Sequence, residues 1–305
     1  MNPSNISAAL RGLLQPLCVS LLTLSAALPA HAADTLDKIR ETKTITIGNR
    51  EAARPFSFVE NGQPTGYSIE LCKRVADAVK KELKIADLKV NYVTVSGAER
   101  IPKLQDGSID LECGSTTNTV ARQQKVDFSY TIFVAGMKIL SADPTLKTPE
   151  ALRGKKVALS KGTTSEKLFQ QLHDTAMKDM QLVVYPSNAE AFKALQSGAV
   201  AAFPQDDVLL SGMVAGQADA QKFKLSPNYL SVEPYGIMVR KGDARLLAIV
   251  DHTLQQIYTS GEINTIYGHW FDTATMQFPM TGLLRDAILR PGKDAGFARE
   301  LGYTL

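Results

Sequence analysis

Apolar and polar residues alternate over Thr44-Ile45-Thr46-Ile47 and stop at Gly48, the period-two pattern of a strand with one buried face. From Ser68 to Leu83 the period changes. Ile69, Leu71, Cys72, Val75, Ala76, Val79 and Leu83 recur at helical spacing, which predicts an amphipathic helix. Val90–Val95 then reads as a second strand, Arg100–Gln105 as a short helix stopped at Asp106-Gly107, and Ile109–Leu111 as a third strand. The alternation of strand and helix predicts an α/β sheet.

The pattern restarts further along. Lys156–Leu159 reads as a strand, and Thr163-Thr164-Ser165-Glu166 matches a capping box that opens a helix running to about His173. Leu182–Tyr185 is a strand, Ala189–Gln196 a helix stopped at Ser197-Gly198, and Val200–Phe203 a strand. The segments "IPKLQDGSIDLECGSTT" and "AFKALQSGAVAAFPQDD" share one order: helix, Leu-Gln, a small polar residue, glycine, strand, polar cluster. Two lobes of similar build explain this, each presenting polar residues at its strand ends, where ligands bind in open α/β sheets. Tyr235–Val239 is a further strand and Ala244–Thr259 a helix ended by Ser260-Gly261. The tail, with Trp270-Phe271, Pro279 and Pro291, suits packing on either lobe.

Composition narrows the class. Arg11 precedes an apolar run over 13–28, and Ala30-His31-Ala32 follows, so residues 1–32 are expected to be a cleaved secretory signal. Cys18 lacks a lipoprotein-type cleavage box before it. The mature chain of 273 residues (305 less 32) suffices for two modest domains. With 34 Lys+Arg against 31 Asp+Glu and no block of like charge, the sequence carries no footprint for nucleic acid or for polybasic membrane attachment. Two cysteines remain, Cys72 and Cys113. They could form one disulfide, but a chain this long needs no staple, and the expectation is two free, buried thiols.

Enzyme signatures are sparse. G-x-S-x-G, the phosphate-binding G-x-x-x-x-G-K-[ST] and G-x-G-x-x-G are all absent. His173, His252 and His269 are not paired at ligand spacing, so neither a metal nor another cofactor is expected. Instead, groups suited to anions recur at element ends. Arg50 follows the first strand and Arg100 opens a helix. Ser115, Thr116, Thr117 and then Arg122 follow the third strand. Thr163 and Thr164 stand where a helix begins, and free N–H groups there favour negative charge. Asp206-Asp207 occupies the corresponding place in the second half, and an acid there can also be a helix cap.

On these residues the chain resembles the periplasmic amino-acid-binding proteins of ABC importers, in particular the glutamate/aspartate-binding branch. The resemblance runs from about Thr35 to Phe271 and rests on "TLDKIRETKTITIGNRE", "PFSF", "GYS", "RIPKLQDGSIDLECGSTTNTVARQ", "FSYTIFVAG", "GTTSE", "DDVLL" and "YGIMVRK", in that order. It implies the type II periplasmic-binding-protein fold: two α/β lobes, residues 34–135 with 232–305 and residues 136–231, joined by two crossings and closing over a ligand. Carried over by position, it implies that Arg122, helped by Ser115, Thr117 and the amides near Thr163 and Thr164, holds an α-carboxylate. Asp206 would accept from the α-ammonium, and Arg50 and Arg100 would meet a side-chain carboxylate. Guanidinium forks offer paired donors to planar carboxylates. Two positions depart from the branch. Gly97 stands where a serine is expected, with Ser96 beside it, and Asn188 stands in place of a histidine. Ser96, Asn188 and Asp207 are further candidates for the site. The implied function is delivery of L-glutamate or L-aspartate to a membrane permease by a monomeric periplasmic receptor without catalysis. Two alternatives stay open: another polar ligand, such as glutamine, asparagine or a dicarboxylate without an amine, and a dehydratase built on the same fold.

Overall fold

In the computed structural model of the chain, residues 34–294 are described. The expected signal segment lies outside them. No helix among the described residues is long and apolar enough to cross a membrane.

The chain opens with α1 (Thr35–Thr42), capped by the Asp34 side chain, and enters β1 (Thr44–Asn49). A small antiparallel sheet follows from β2 (Ala52–Ala53), β3 (Ser57–Glu60) and β4 (Gln63–Thr65). Helix α2 (Tyr67–Leu83) buries the predicted stripe from Ile69 to Val79. Then come β5 (Lys89–Thr94), α3 (Arg100–Gln105), β6 (Leu111–Glu112), α4 (Val120–Gln123) and β7 (Val126–Phe128). The nine-residue β8 (Phe133–Ser141) leads out of this lobe.

The second lobe comprises β9 (Lys156–Ser160), α5 (Thr164–Thr175), β10 (Gln181–Tyr185), α6 (Asn188–Gln196), β11 (Phe203–Asp206), α7 (Asp207–Val214) and β12 (Lys224–Leu225). The chain returns along β13 (Ser231–Tyr235), which pairs antiparallel with β8, Tyr235 opposite Phe133. It re-enters the first sheet as β14 (Met238–Arg240) and ends in α8 (Ala244–Thr259), α9 (Glu262–Phe271) and α10 (Gly282–Leu289).

The first sheet has the order β5-β1-β6-β14-β7, parallel at β5-β1-β6 and antiparallel at β14. In the second lobe the expected strand over 200–203 divides. Ala202 bridges Val157 of β9 in parallel, whereas β11 pairs antiparallel with β8. The reading of one strand over Tyr235–Val239 is corrected likewise. Its first residue closes β13 and its last ones belong to β14, so the segment passes from the crossing into the first sheet.

An aromatic cluster fixes the base of the two crossings. Phe56 lies 4.8 Å from Phe133 and 5.1 Å from Tyr235, and Phe133 lies 5.0 Å from Phe271. Each such pair contributes roughly 0.5–1.5 kcal/mol beyond burial. Phe271 and Leu284 sit in the same core, and the Thr131 amide donates to the Gly292 carbonyl, so the tail packs on the first lobe beside the crossings.

The expectation of free thiols is corrected: Cys72 and Cys113 form a disulfide. Both residues are buried in one core, as expected. The inner face of α2 brings Cys72 within 6.4 Å, Cα to Cα, of the residue that follows β6. Spacing along the chain could not reveal that approach.

Candidate functional site

Eight expected residues, Arg50, Arg100, Ser115, Thr117, Arg122, Thr163, Thr164 and Asp206, line one small cavity together with Asn188, Gln205 and Leu209. They come from the ends of β1 and β11, the loop after β6, helices α3 and α4, and the first turns of α5, α6 and α7. The space between them admits the centre of a water-sized sphere over only about 10 Å³. Anything much larger than a water molecule would need the surrounding side chains to part. Larger hollows lie elsewhere: about 370 Å³ between α4 and α5, touching Arg122 from outside, and about 280 Å³ beside the crossings.

The three arginines differ in how they are held. Arg100 Nη1 donates to Thr116 Oγ1 at 2.6 Å, and that hydroxyl donates to Glu112 Oε2 at 2.7 Å. The Gly162 carbonyl, from the second lobe, accepts from Nη2 of Arg100 at 3.2 Å and Nη2 of Arg122 at 3.1 Å. Arg122 Nη1 also donates to the Thr117 carbonyl at 2.8 Å. The Arg50 main chain is pinned by an N–H to Ser57 Oγ bond of 2.8 Å. Arg50 is 8 % exposed, and its guanidinium makes no hydrogen bond among the described residues. Burial presses the pKa of all three downward. For Arg50 and Arg122 the charge of Arg100 comes next, and near Arg100 the Glu112 carboxylate opposes it. All three stay cations at neutral pH, since an arginine is not deprotonated in a protein.

Asp206 is 3 % exposed. The Tyr235 hydroxyl donates to its Oδ2, and its Oδ1 has no partner. Burial and then Glu233 push its pKa well above the ordinary carboxylate range. The Asp206 amide donates to Gln205 Oε1, and Gln205 Nε2 donates to Asn188 Oδ1, both at 3.0 Å, which orients Asn188 at the cavity wall. Thr163 caps α5 and accepts from the Glu166 amide, as the capping box predicted. Glu166 reaches the Gly162 amide at 2.6 Å rather than that of Thr163.

Ser96 and Asp207 are not brought into the cavity. Ser96 Oγ accepts from the Glu99 amide, and Glu99 Oε2 accepts from the Ser96 amide, so this serine belongs to the turn that opens α3. Asp207 accepts from the amides of Gly136 and Val208 and lines the hollow beside the crossings.

Sequence reasoning missed Glu112, Glu233 and Tyr235. Glu233 Oε2 accepts from Thr117 Oγ1 at 2.6 Å and Thr164 Oγ1 at 2.9 Å, and Oε1 accepts from the Ser231 hydroxyl. One buried carboxylate in a crossing strand thus ties a hydroxyl from each lobe. The available signal was an acid inside each apolar run, "IDLEC" and "SVEPYGI". Among the described residues no group of three or more His, Cys, Asp or Glu is placed to hold a metal.

Comparison with known proteins agrees with this build. The profile of bacterial extracellular solute-binding proteins, family 3, matches residues 45–273. An L-glutamate/L-aspartate-binding protein of Pseudomonas aeruginosa is 40% identical over 288 residues, 92% of this chain and 95% of that protein. A glutamate/aspartate import solute-binding protein of Escherichia coli is 38% identical over 242 residues, 79% of this chain and 80% of that protein. Among solved structures, an ancestral arginine-binding protein bound to glutamine superposes with a TM-score of 0.68 at 32% identity, over 76% of this chain and 99% of that one. The ancestral amino acid-binding protein AncCDT-1, a precursor of cyclohexadienyl dehydratase, gives 0.67 at 32%, over 78% and 99%. The fold is that of the type II periplasmic binding proteins, and the chain belongs to family 3 of the bacterial extracellular solute-binding proteins.

Proposed function

We propose that the protein binds L-glutamate or L-aspartate between its lobes, as a non-catalytic periplasmic receptor, and delivers it to the membrane permease of an ABC importer. Arg122, Ser115, Thr117 and the start of α5 take the α-carboxylate. Asp206 takes the α-ammonium. Arg50 and Arg100 take the side-chain carboxylate, with Asn188 beside them. Lobe boundaries at 135/136 and 231/232, removal of residues 1–32 on export, and a monomeric state belong to the same reading.

One observation carries it. Among the described residues, the same cavity holds a nearly buried guanidinium without a hydrogen bond, Arg50, and a buried carboxylate oxygen without a partner, Asp206 Oδ1. A zwitterion with an extra carboxylate supplies both missing partners. The names of the two curated relatives support the same ligand class. The test is calorimetric titration with both acids, and binding on the order of micromolar, about −8 kcal/mol, is expected. Absence of heat and of thermal shift with both acids overturns the reading. No observation favours the dehydratase alternative, since the neighbour that points to it is itself named an amino acid-binding protein.

A further inference from the structure

We infer that two side-chain-free contacts across the gap set how far the lobes close, and thereby the shortest ligand that closure can grip. The acidic-ligand reading enters only in the choice of probe.

The first contact joins the loop before α3 to the turn before α5. A Cβ on Gly97 would stand 2.6 Å from the Lys161 carbonyl oxygen, and one on Gly162 would stand 2.5 Å from the carbonyl carbon and oxygen of Gly97. The second contact joins the small sheet of the first lobe to α7 of the second. A Cβ on Gly212 would stand 2.5 Å from the Arg54 carbonyl oxygen. The obstructing atoms are backbone, so no side chain can swing aside.

Gly162 has its own reason to be glycine, a φ of +79°. Gly97 and Gly212 have no such reason, because neither adopts a positive φ. Gly212 lies inside α7, where glycine weakens the helix relative to alanine. The close approach of the opposite lobe accounts for its presence. It also accounts for Gly97 where the resemblance leads one to expect serine, since a side chain there would strike Lys161 O.

Ordinary contact begins at 3.4 Å, so an alanine at either place holds the lobes apart by about 0.8–0.9 Å. The bonds from Arg100 and Arg122 to Gly162 O, at 3.2 and 3.1 Å, would stretch to about 4 Å, beyond hydrogen-bonding range. A ligand bridging the same lobes suffers the same gap. L-aspartate, one methylene shorter, suffers more than L-glutamate.

The test uses Gly97→Ala and Gly212→Ala in the full mature chain. Each should weaken L-glutamate binding at least tenfold and L-aspartate binding further. Gly212→Ala should also raise the melting temperature of the ligand-free protein through better helix propensity, a gain that a merely structural glycine would not give. Affinities within twofold of the parent, or a ligand-free melting temperature that falls together with affinity, overturn the inference. Spin labels at exposed Lys80 and Lys178 give a second readout, and the disulfide leaves introduced cysteines as the only free thiols of the mature chain. The shortest inter-label distance populated by the parent, with or without ligand, should be missing from the double variant. Should the parent bind neither acid, the functional reading fails, while this distance still decides the closure stop: its persistence in the double variant overturns it.

Discussion

Asp206→Asn separates the charge of this residue from its shape. Asparagine keeps an oxygen for the Tyr235 hydroxyl and nearly the same volume, and it removes the negative charge. In the closed form the Asp206 carboxylate is 3 % exposed, one oxygen has no protein partner, and Glu233 repels it. An unsatisfied buried polar group costs about 1–3 kcal/mol, more when charged, so the ionised Asp206 opposes closure until an ammonium arrives. Removing one partner of a buried charge pair costs about 2–5 kcal/mol, a loss of roughly 30- to 4000-fold in affinity. The substitution should therefore act with opposite signs: weaker L-glutamate binding by calorimetry, and a more closed ligand-free protein, seen as a smaller radius of gyration in solution scattering. Succinate, which brings no ammonium, should bind the variant no worse than the parent. L-glutamate affinity within threefold of the parent would refute the role of Asp206 and the electrostatic argument behind it.

Arg50→Met should lower the preference for L-glutamate over L-glutamine by roughly tenfold or more, because a charged hydrogen bond is worth about 1.5–3 kcal/mol. Titration of the variant with both amino acids checks this, and an unchanged ratio removes Arg50 from the side-chain clamp. Arg122→Lys should weaken both ligands alike, since lysine cannot present the paired donors of a guanidinium. Binding should also weaken as pH falls through the raised pKa of Asp206. The closed-form pKa of Asp206 lies above its ordinary 3.8, so below that raised value an ammonium must displace a proton; calorimetry in buffers of different ionisation enthalpy should detect proton release. The Cys72–Cys113 bridge closes a separation of 41 residues, so its replacement by two alanines should cost about 4 kcal/mol in chain entropy. Urea unfolding measures that loss, and an unshifted midpoint refutes it.

Helices were legible where one face meets the core. α2 and α8 fall on their predicted spans to within a residue or so, because a 3.6 period is a local property. β8 was not read. "FVAGMKILS" is almost wholly buried and shows no alternation, so periodicity cannot distinguish such a strand from a loop or a buried helix. The division near residue 202 was hidden for a related reason, since it depends on which neighbour each half meets. The site was legible to the extent that its groups sit at element ends. Glu233 was not, because a carboxylate inside a strand announces nothing until its partners are placed around it, and Glu112, though it ends β6, was masked by the apolar run around it. Ser96 illustrates the converse. Next to Gly97 it looked available, but three residues before an amide at a helix start, a hydroxyl is drawn into capping.

The polar groups of the cavity also suggest why closure should wait for ligand. Asp206 Oδ1 and Arg100 Nε are buried in the closed form without a protein partner. At about 1–3 kcal/mol each, the two together oppose closure by about 2–6 kcal/mol. Ligand contacts have to offset that cost in addition to the roughly 8 kcal/mol net that micromolar affinity represents. Glu233 acts in the other direction, because its bonds to Thr117 and Thr164 reward bringing the lobes together whether or not ligand is present. The balance can be tested by removing only this tie. Thr164→Val keeps the shape and deletes one hydroxyl of the tie. It should shift ligand-free protein towards the open form and weaken L-glutamate and L-aspartate by the same factor, since both have to draw the same two lobes together. A loss confined to one of the acids would mean that the Thr164 hydroxyl reads the ligand's length, and the division of labour between tie and clamp would then be wrong.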